Sequence, residues 1–252
     1  MRIRLCSVAL VLGLSSAATA QQEITLVAPG SVKTALDILI PQFTAKTGTK
    51  VTLTIGSGTA TVKQAAEGTF DASIAQSPFP QVLASSNVDV KNQTPLATIA
   101  MAVAVKAGSP KPDISTAAAV KAMLLTAKSI AYSKPPTSAS GISFENTLNK
   151  LGIADQIHAK AVYVIGGGPG TAMAVAKGDA ELGASFQSEM DATPGIDVVG
   201  LLPEDISPRL ALVGFVSLHA KDPVAAKALL AYLASPAAAV VYKAQGLLPA
   251  GK

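Results

Sequence analysis

Cysteine occurs once in this chain, at Cys6, tryptophan not at all, and histidine only twice. Cys6 lies in a segment expected to be removed. Arg2 and Arg4 open the chain, "LCSVALVLGL" forms a short apolar run, and "ATA" precedes Gln21. A basic start, an apolar core and a small-residue cleavage site describe a secretory signal peptide over residues 1–20, too short to span a membrane. Cleavage after Ala20 leaves Gln21 to Lys252 without cysteine, which excludes disulfides, thiolate catalysis and cysteine-based metal sites. Loss of Arg2 and Arg4 lowers the formal net charge from +4 to +2. Lysines are scattered singly and aromatics make up 4% of residues, so the clustered basic face with stacking partners that nucleic-acid binding needs is missing. No later run reaches eighteen uninterrupted apolar residues, and an exported, soluble product follows.

Arginine is equally scarce. Once the leader is gone, Arg209 is the only one left. A bidentate guanidinium fork is the usual grip on a carboxylate, so at most one such fork is available. Enzyme signatures are thin as well. His158 and His219 are far apart in sequence, no G-x-S-x-G elbow occurs, and Asp71, Glu145 and Glu189 are single acids with no motif partner. Glycine is present where a cofactor loop could form, at Gly166-Gly167-Gly168-Pro169-Gly170-Thr171. Thr171 replaces the last glycine of a dinucleotide fingerprint and Pro169 deletes a donor, so a flexible connection near a cleft is expected instead. No cofactor and no catalytic residue are expected.

What is present alternates. "EITLVAP", "VTLTI" and "FDASIAQS" read as strands, separated by helical runs from Val32 and from Thr59 to Glu67. Pro41 interrupts the first helix and predicts a kink or restart. A second strand–helix run lies between two longer strand-like stretches, Ala97 to Gly108 and Leu210 to Ala220. The chain therefore leaves one α/β unit and returns to it. Residues 21–99 with 208–252 form the first lobe and 100–207 an inserted second lobe. "AAEGTFDASIAQS" (65–77) and "VAKGDAELGASFQS" (175–188) echo each other faintly, each with a helix end, a glycine, an acid three residues later and a strand.

Three loops follow strands and open helices: Pro29-Gly30-Ser31, Gly56-Ser57-Gly58-Thr59 and Pro136 to Gly141. Their hydroxyls can cap the helices. They can equally hold an anion, together with the unpaired N–H groups and the dipole of each first turn. Both readings stand at this point.

"ITLVAPGSVKTALDILIPQFTAKTGTKVTLTIGSGTATVKQAAEG" resembles the opening of the molybdate-type solute-binding proteins of ABC importers, and the likeness continues to "LLAYLASPAAAVVYKAQGLLP". The resemblance implies a type II periplasmic binding fold: two α/β lobes, each a mainly parallel sheet flanked by helices, joined by two crossing strands. It implies a monomer in the periplasm that closes over a small anion and delivers it to a permease in the inner membrane. By position it assigns the ligand to Ser31, Ser57, Gly58 and Thr59 in the first lobe and to Ser140 and Gly141 in the second. Where the family often has tyrosine in "G.VY.TDA", this chain reads "GASFQSE", with Phe186 at that position followed by Gln187, so one hydroxyl donor is expected to be lost. A molybdate- or tungstate-like oxyanion is the first expectation. The chain also resembles a divergent branch that binds organic acids and, in the same loops, aconitate isomerase. An organic di- or tricarboxylate is therefore the second expectation.

Overall fold

The computed structural model describes residues 22–250. The expected signal peptide lies outside them. Strand β1 (Glu23–Pro29) passes through a 3-10 turn (Gly30–Val32) into helix α1 (Lys33–Thr47), and Gly48, at φ 77°, stops the helix in the left-handed conformation. Leu36, Leu39 and Phe43 recur on one face of α1 and are all buried. Each contributes roughly 1.5–3 kcal/mol of transfer free energy. That stripe spans Pro41, and α1 continues without the expected restart.

β2 (Lys50–Gly56), α2 (Gly58–Glu67), β3 (Ala72–Gln76), α3 (Pro80–Ala84) and β4 (Thr94–Ile99) follow. Ala100 separates β4 from β5 (Met101–Lys106). Next come α4 (Ala117–Thr126), β6 (Ile130–Ser133), α5 (Ala139–Leu151), α6 (Ala154–His158), β7 (Ala161–Val164), α7 (Gly167–Lys177), β8 (Leu182–Phe186), α8 (Gln187–Met190) and β9 (Ile196–Leu201). The chain ends with β10 (Leu210–Val216), α9 (Pro223–Leu233), α10 (Pro236–Ala244) and β11 (Leu248–Pro249).

These strands make a six-stranded sheet in the order β11-β4-β10-β3-β1-β2 and a five-stranded sheet in the order β7-β6-β8-β5-β9. Both are mixed rather than mainly parallel. In each, three parallel strands meet a returning strand antiparallel: β10 beside β3 in the first, β5 beside β8 in the second. The first long stretch is thus two strands broken at Ala100, one in each sheet. The second expected crossing strand differs, because β10 pairs only within the first sheet and residues 202–209 make the crossing.

β2-β1-β3-β10-β4 and β7-β6-β8-β5-β9 have the same order and directions, so the faint sequence echo marks a repeated unit. Its acids do equivalent work. Asp71 N donates to Thr25 Oγ1 (2.9 Å) while Thr25 N donates to Asp71 Oδ2 (2.8 Å). Glu181 N donates to Ser129 Oγ (3.1 Å) while Lys128 N donates to Glu181 Oε2 (2.8 Å). Each acid ties the start of one parallel strand to the start of its neighbour. One continuous apolar cluster, including Leu26, Leu36, Phe43, Tyr132, Phe144 and Leu229, runs through both sheets.

Candidate functional site

In a parallel strand–helix unit the helix begins where its strand ends. The units β1–α1, β2–α2, β6–α5 and β7–α7 therefore present their helix N-termini at the carboxyl edges of the two sheets. All four edges face one cleft of about 610 Å³. The first sheet contributes Gly30, Ser31, Lys33, Thr34, Gly56, Ser57, Gly58 and Gln76 to its lining. The second contributes Thr137 to Ser140, Gly166 to Pro169, Ser188, Glu189, Ala192 and Thr193. The lobes meet at its edge, where a Cβ built on Gly58 would lie 2.8 Å from Ala139 Cβ.

Ser57 and Ser138 are the N-caps of α2 and α5, accepting from Ala60 N (3.1 Å) and Gly141 N (3.0 Å). Capping and ligand contact are compatible, because a cap uses an oxygen lone pair and leaves the O–H free to donate. Ser31 is buried and does not cap; its hydroxyl donates to Gln76 Oε1 at 3.3 Å. Ser140 Oγ lies 3.3 Å from Ser138 Oγ. Gly166 (φ 91°) and Gly167 (φ 65°) hold left-handed conformations that open α7 with no side-chain cap. Of its first-turn N–H groups, Gly168 N is taken by Glu189 and Pro169 has none, which leaves that of Gly167 beside the cleft. Ser188 Oγ is buried with no hydrogen-bond partner among the described residues.

Among the described residues, the cleft is lined by only two ionisable side chains, Lys33 and Glu189. Lys33 is half-exposed and pairs with Asp37 one turn on. Glu189 is held deeper. Its Oε2 accepts from Ser185 Oγ (3.0 Å) and Gly168 N (3.1 Å), and it comes this close because position 168 has no Cβ, which would sit 2.2 Å from Glu189 Cβ. Burial pushes the Glu189 carboxyl above its ordinary value, with these two hydrogen bonds acting the other way. The native state then keeps the proton to higher pH than the unfolded chain does. Stability is therefore greatest below the unfolded carboxylate range and falls as pH rises through the folded value. Glu189→Gln removes this loss, so the ligand-free variant should gain melting temperature over wild type at pH 8 and lose that advantage at pH 4. An equal difference at both pH values would contradict it.

Residues 24–248 match the model of the bacterial extracellular solute-binding protein family. The chain belongs to that family. A curated relative is the aconitate isomerase of a Pseudomonas species, 38% identical over 173 residues, covering 69% of this chain and 64% of that protein. Solved structures with the same fold include the periplasmic molybdate-binding protein of Azotobacter vinelandii (TM-score 0.72, 18% identity, 90% of this chain and 100% of that one). The sulfate-binding protein of Mycobacterium tuberculosis H37Rv aligns with a TM-score of 0.70 at 17% identity, over 90% of this chain and 87% of that one. These likenesses establish a periplasmic-binding-protein architecture of two helix-flanked mixed sheets.

Within this solute-binding protein the sequence-based site residues divide. Ser31, Ser57, Gly58 and Ser140 line the cleft together. Thr59 lines a smaller neighbouring pocket of about 260 Å³, with its hydroxyl 3.1 Å from Ser57 Oγ. Gly141 is displaced from the ligand role, since its N–H is used by the Ser138 cap and its Cα packs on the Ser133 carbonyl. Phe186 and Gln187 need correction. Phe186 is 1% exposed within the apolar core, so phenylalanine there removes no cleft donor. Gln187 turns its amide to Asp191 Oδ2 (3.0 Å) and gives its N–H to the Ala100 carbonyl (3.1 Å). Ser188 and Glu189, the next residues of α8, reach the cleft instead. Arg209 pairs with Glu204 (2.9 Å) on the surface, away from the cleft. Sequence reasoning also missed Gln76, though the closing Gln-Ser of the echo pointed to it, and Gly166 to Pro169, which it had placed only near a cleft.

Proposed function

We propose that this protein is a receptor that captures a small multiply charged anion between its two lobes and delivers it, in the periplasm, to the permease of an ABC importer. The observation that carries the reading is the convergence of four helix N-termini, two from each sheet, on one cleft rich in hydroxyls. Neutral donors and aligned peptide dipoles suit an anion whose charge is spread over several oxygens. Family membership supports the delivery role.

Two features favour an organic di- or tricarboxylate over a molybdate- or tungstate-like oxyanion. The cleft, at about 610 Å³, is of the size that holds a multi-carbon ligand. Glu189, when protonated, can donate a hydrogen bond to one carboxylate of an extended ligand while the helix N-termini across the cleft hold the others. Thermal unfolding of the ligand-free protein against citrate, both aconitate isomers, molybdate, tungstate, sulfate and phosphate tests the assignment. A ligand at a hundred times its Kd adds about 2.7 kcal/mol of stability. The carboxylic acids should raise the melting temperature; a rise with molybdate and tungstate alone would restore the oxyanion, and no rise with any anion would sink the receptor reading. Ser57→Ala should weaken the responding ligand by roughly 1–3 kcal/mol, the scale for stranding a buried partner. Unchanged affinity would remove Ser57 from the site.

A second reading is an isomerase acting on a tricarboxylate. Glu189 inside the cleft favours it, as does the 38% identity to a relative of that name.

A further inference from the structure

We propose that Glu189 is the proton carrier of this cleft, and that the substrate class is an unsaturated polycarboxylate with a C–H bond flanked by a carboxylate and a carbon–carbon double bond. The inference rests on the anion-binding reading of the cleft and deepens it. A receptor built only to hold anions could use a neutral donor such as glutamine at this position. Yet Glu189 is fixed there by two hydrogen bonds to the same oxygen, Oε2, and by the close approach that glycine at 168 permits. The other oxygen, Oε1, has no hydrogen-bond partner among the described residues, on a side chain that lines the cleft. The remaining ionisable side chain of the lining, Lys33, is paired with Asp37. Proton abstraction near neutral pH therefore falls to Glu189, and its burial makes it a stronger base than an exposed carboxylate.

The step balances without a cofactor. Ionised Glu189 takes the proton from the saturated carbon. The electron pair of that C–H bond delocalises across the three-carbon unit onto the carboxylate oxygens as a dienolate. Those oxygens are where the uncapped first-turn N–H groups of α2 and α5, and that of Gly167 in α7, can stabilise developing charge. The carboxyl then returns a proton to the far carbon. One C–H bond breaks, one forms two carbons away, the double bond shifts by one position, and Glu189 is ionised again.

The test follows deuterium uptake from D₂O into cis- and trans-aconitate, and their interconversion, by proton NMR with the full-length mature protein. Each variant is assayed at ligand concentrations that calorimetry shows to be saturating, so altered affinity does not enter. Wild type should exchange and interconvert the acids, and Glu189→Gln should lower both rates at least about 100-fold, the usual scale for a lost general base. A melting curve confirms that the variant is folded; if it is not, Glu189→Asp replaces it, with at least about a tenfold loss expected from the shortened reach. Wild type that binds aconitate but exchanges no faster than buffer overturns the proposal and leaves the receptor reading standing. Glu189→Gln exchanging at the wild-type rate overturns it too. Wild type that binds no anion in the calorimeter overturns the receptor reading and this proposal together.

Discussion

Replacing Asp71 by alanine should lower the stability of the ligand-free protein by about 3–5 kcal/mol, although Asp71 lies outside the cleft lining. Its buried carboxylate accepts from Thr25 N and Thr25 Oγ1, both at 2.8 Å, from Lys221 N at 2.6 Å and from Asp222 N at 3.4 Å. One side chain thereby joins β1, the start of β3 and the turn that leads into α9. Alanine strands several part-buried donors at roughly 1–3 kcal/mol each, partly offset by no longer desolvating an ion. Burial, the largest single influence, acts to raise the Asp71 carboxyl, but the hydrogen bonds together outweigh it and hold the group below its ordinary value. The sign follows: the stabilisation is present above the unfolded carboxylate value and is lost as pH falls through the lower folded value. The melting temperature at pH 7 should drop by about 6–20 °C, at the usual 2–4 °C per kcal/mol for a chain of this size, and the gap from wild type should narrow in acid. A fall worth less than about 1 kcal/mol would mean that water replaces the carboxylate at little cost.

Gly58→Val should do the reverse, weakening anion binding about 100-fold or more while leaving the ligand-free melting temperature nearly unchanged. Gly58 is the first residue of α2, where its backbone is compatible with any side chain, so folding of the first lobe tolerates a larger residue. Across the cleft edge there is no room. A Cβ would stand 2.8 Å from Ala139 Cβ of the second lobe, so the two lobes must separate; within the first lobe its one close approach, 3.0 Å to Gln76 Oε1, is to the end of a side chain that can shift. Holding them apart removes one set of donors from a ligand that must be gripped from both sides. Two charge-assisted hydrogen bonds, at about 1.5–3 kcal/mol each, correspond to at least a hundredfold in Kd. Calorimetry alongside melting curves separates the outcomes. Equal losses of stability and affinity would mean the valine disturbs α2 itself, and wild-type affinity would show that ligand capture does not need the Gly58–Ala139 approach.

Much of the architecture was legible in local patterns. Ser57 and the hydroxyls before "ISFENTL" announced helix starts, because a first turn with unpaired N–H groups selects Ser or Thr just ahead of it. The echo of 65–77 and 175–188 put Asp71 and Glu181 at matching places, and both satisfy the backbone at equivalent strand starts. Ser31, Ser57, Gly58 and Ser140 were legible as cleft residues because position after a strand in an α/β chain dictates which edge a loop occupies.

The rest depended on direction and distance. Phe186 and Gln187 occupied the right segment, yet one turns into the core and the other towards Asp191, and where the chain leaves β8 for α8 is settled by packing. Glu189 looked like any solitary acid. Its role depends on Ser185, four residues back, and on Gly168, which is distant in sequence and reaches it only across α7 and α8.

By itself, then, the sequence determined the alternation of strands and helices, the departure from one lobe and return to it, and a set of neutral donors at strand ends, because these follow from local periodicity and first-turn chemistry. The tertiary structure alone decided that four helix N-termini share one cleft, that Gly58 approaches the opposite lobe, and that the Glu189 carboxyl sits among the neutral donors of that cleft. Those depend on how two sheets face each other, and no local pattern encodes that distance.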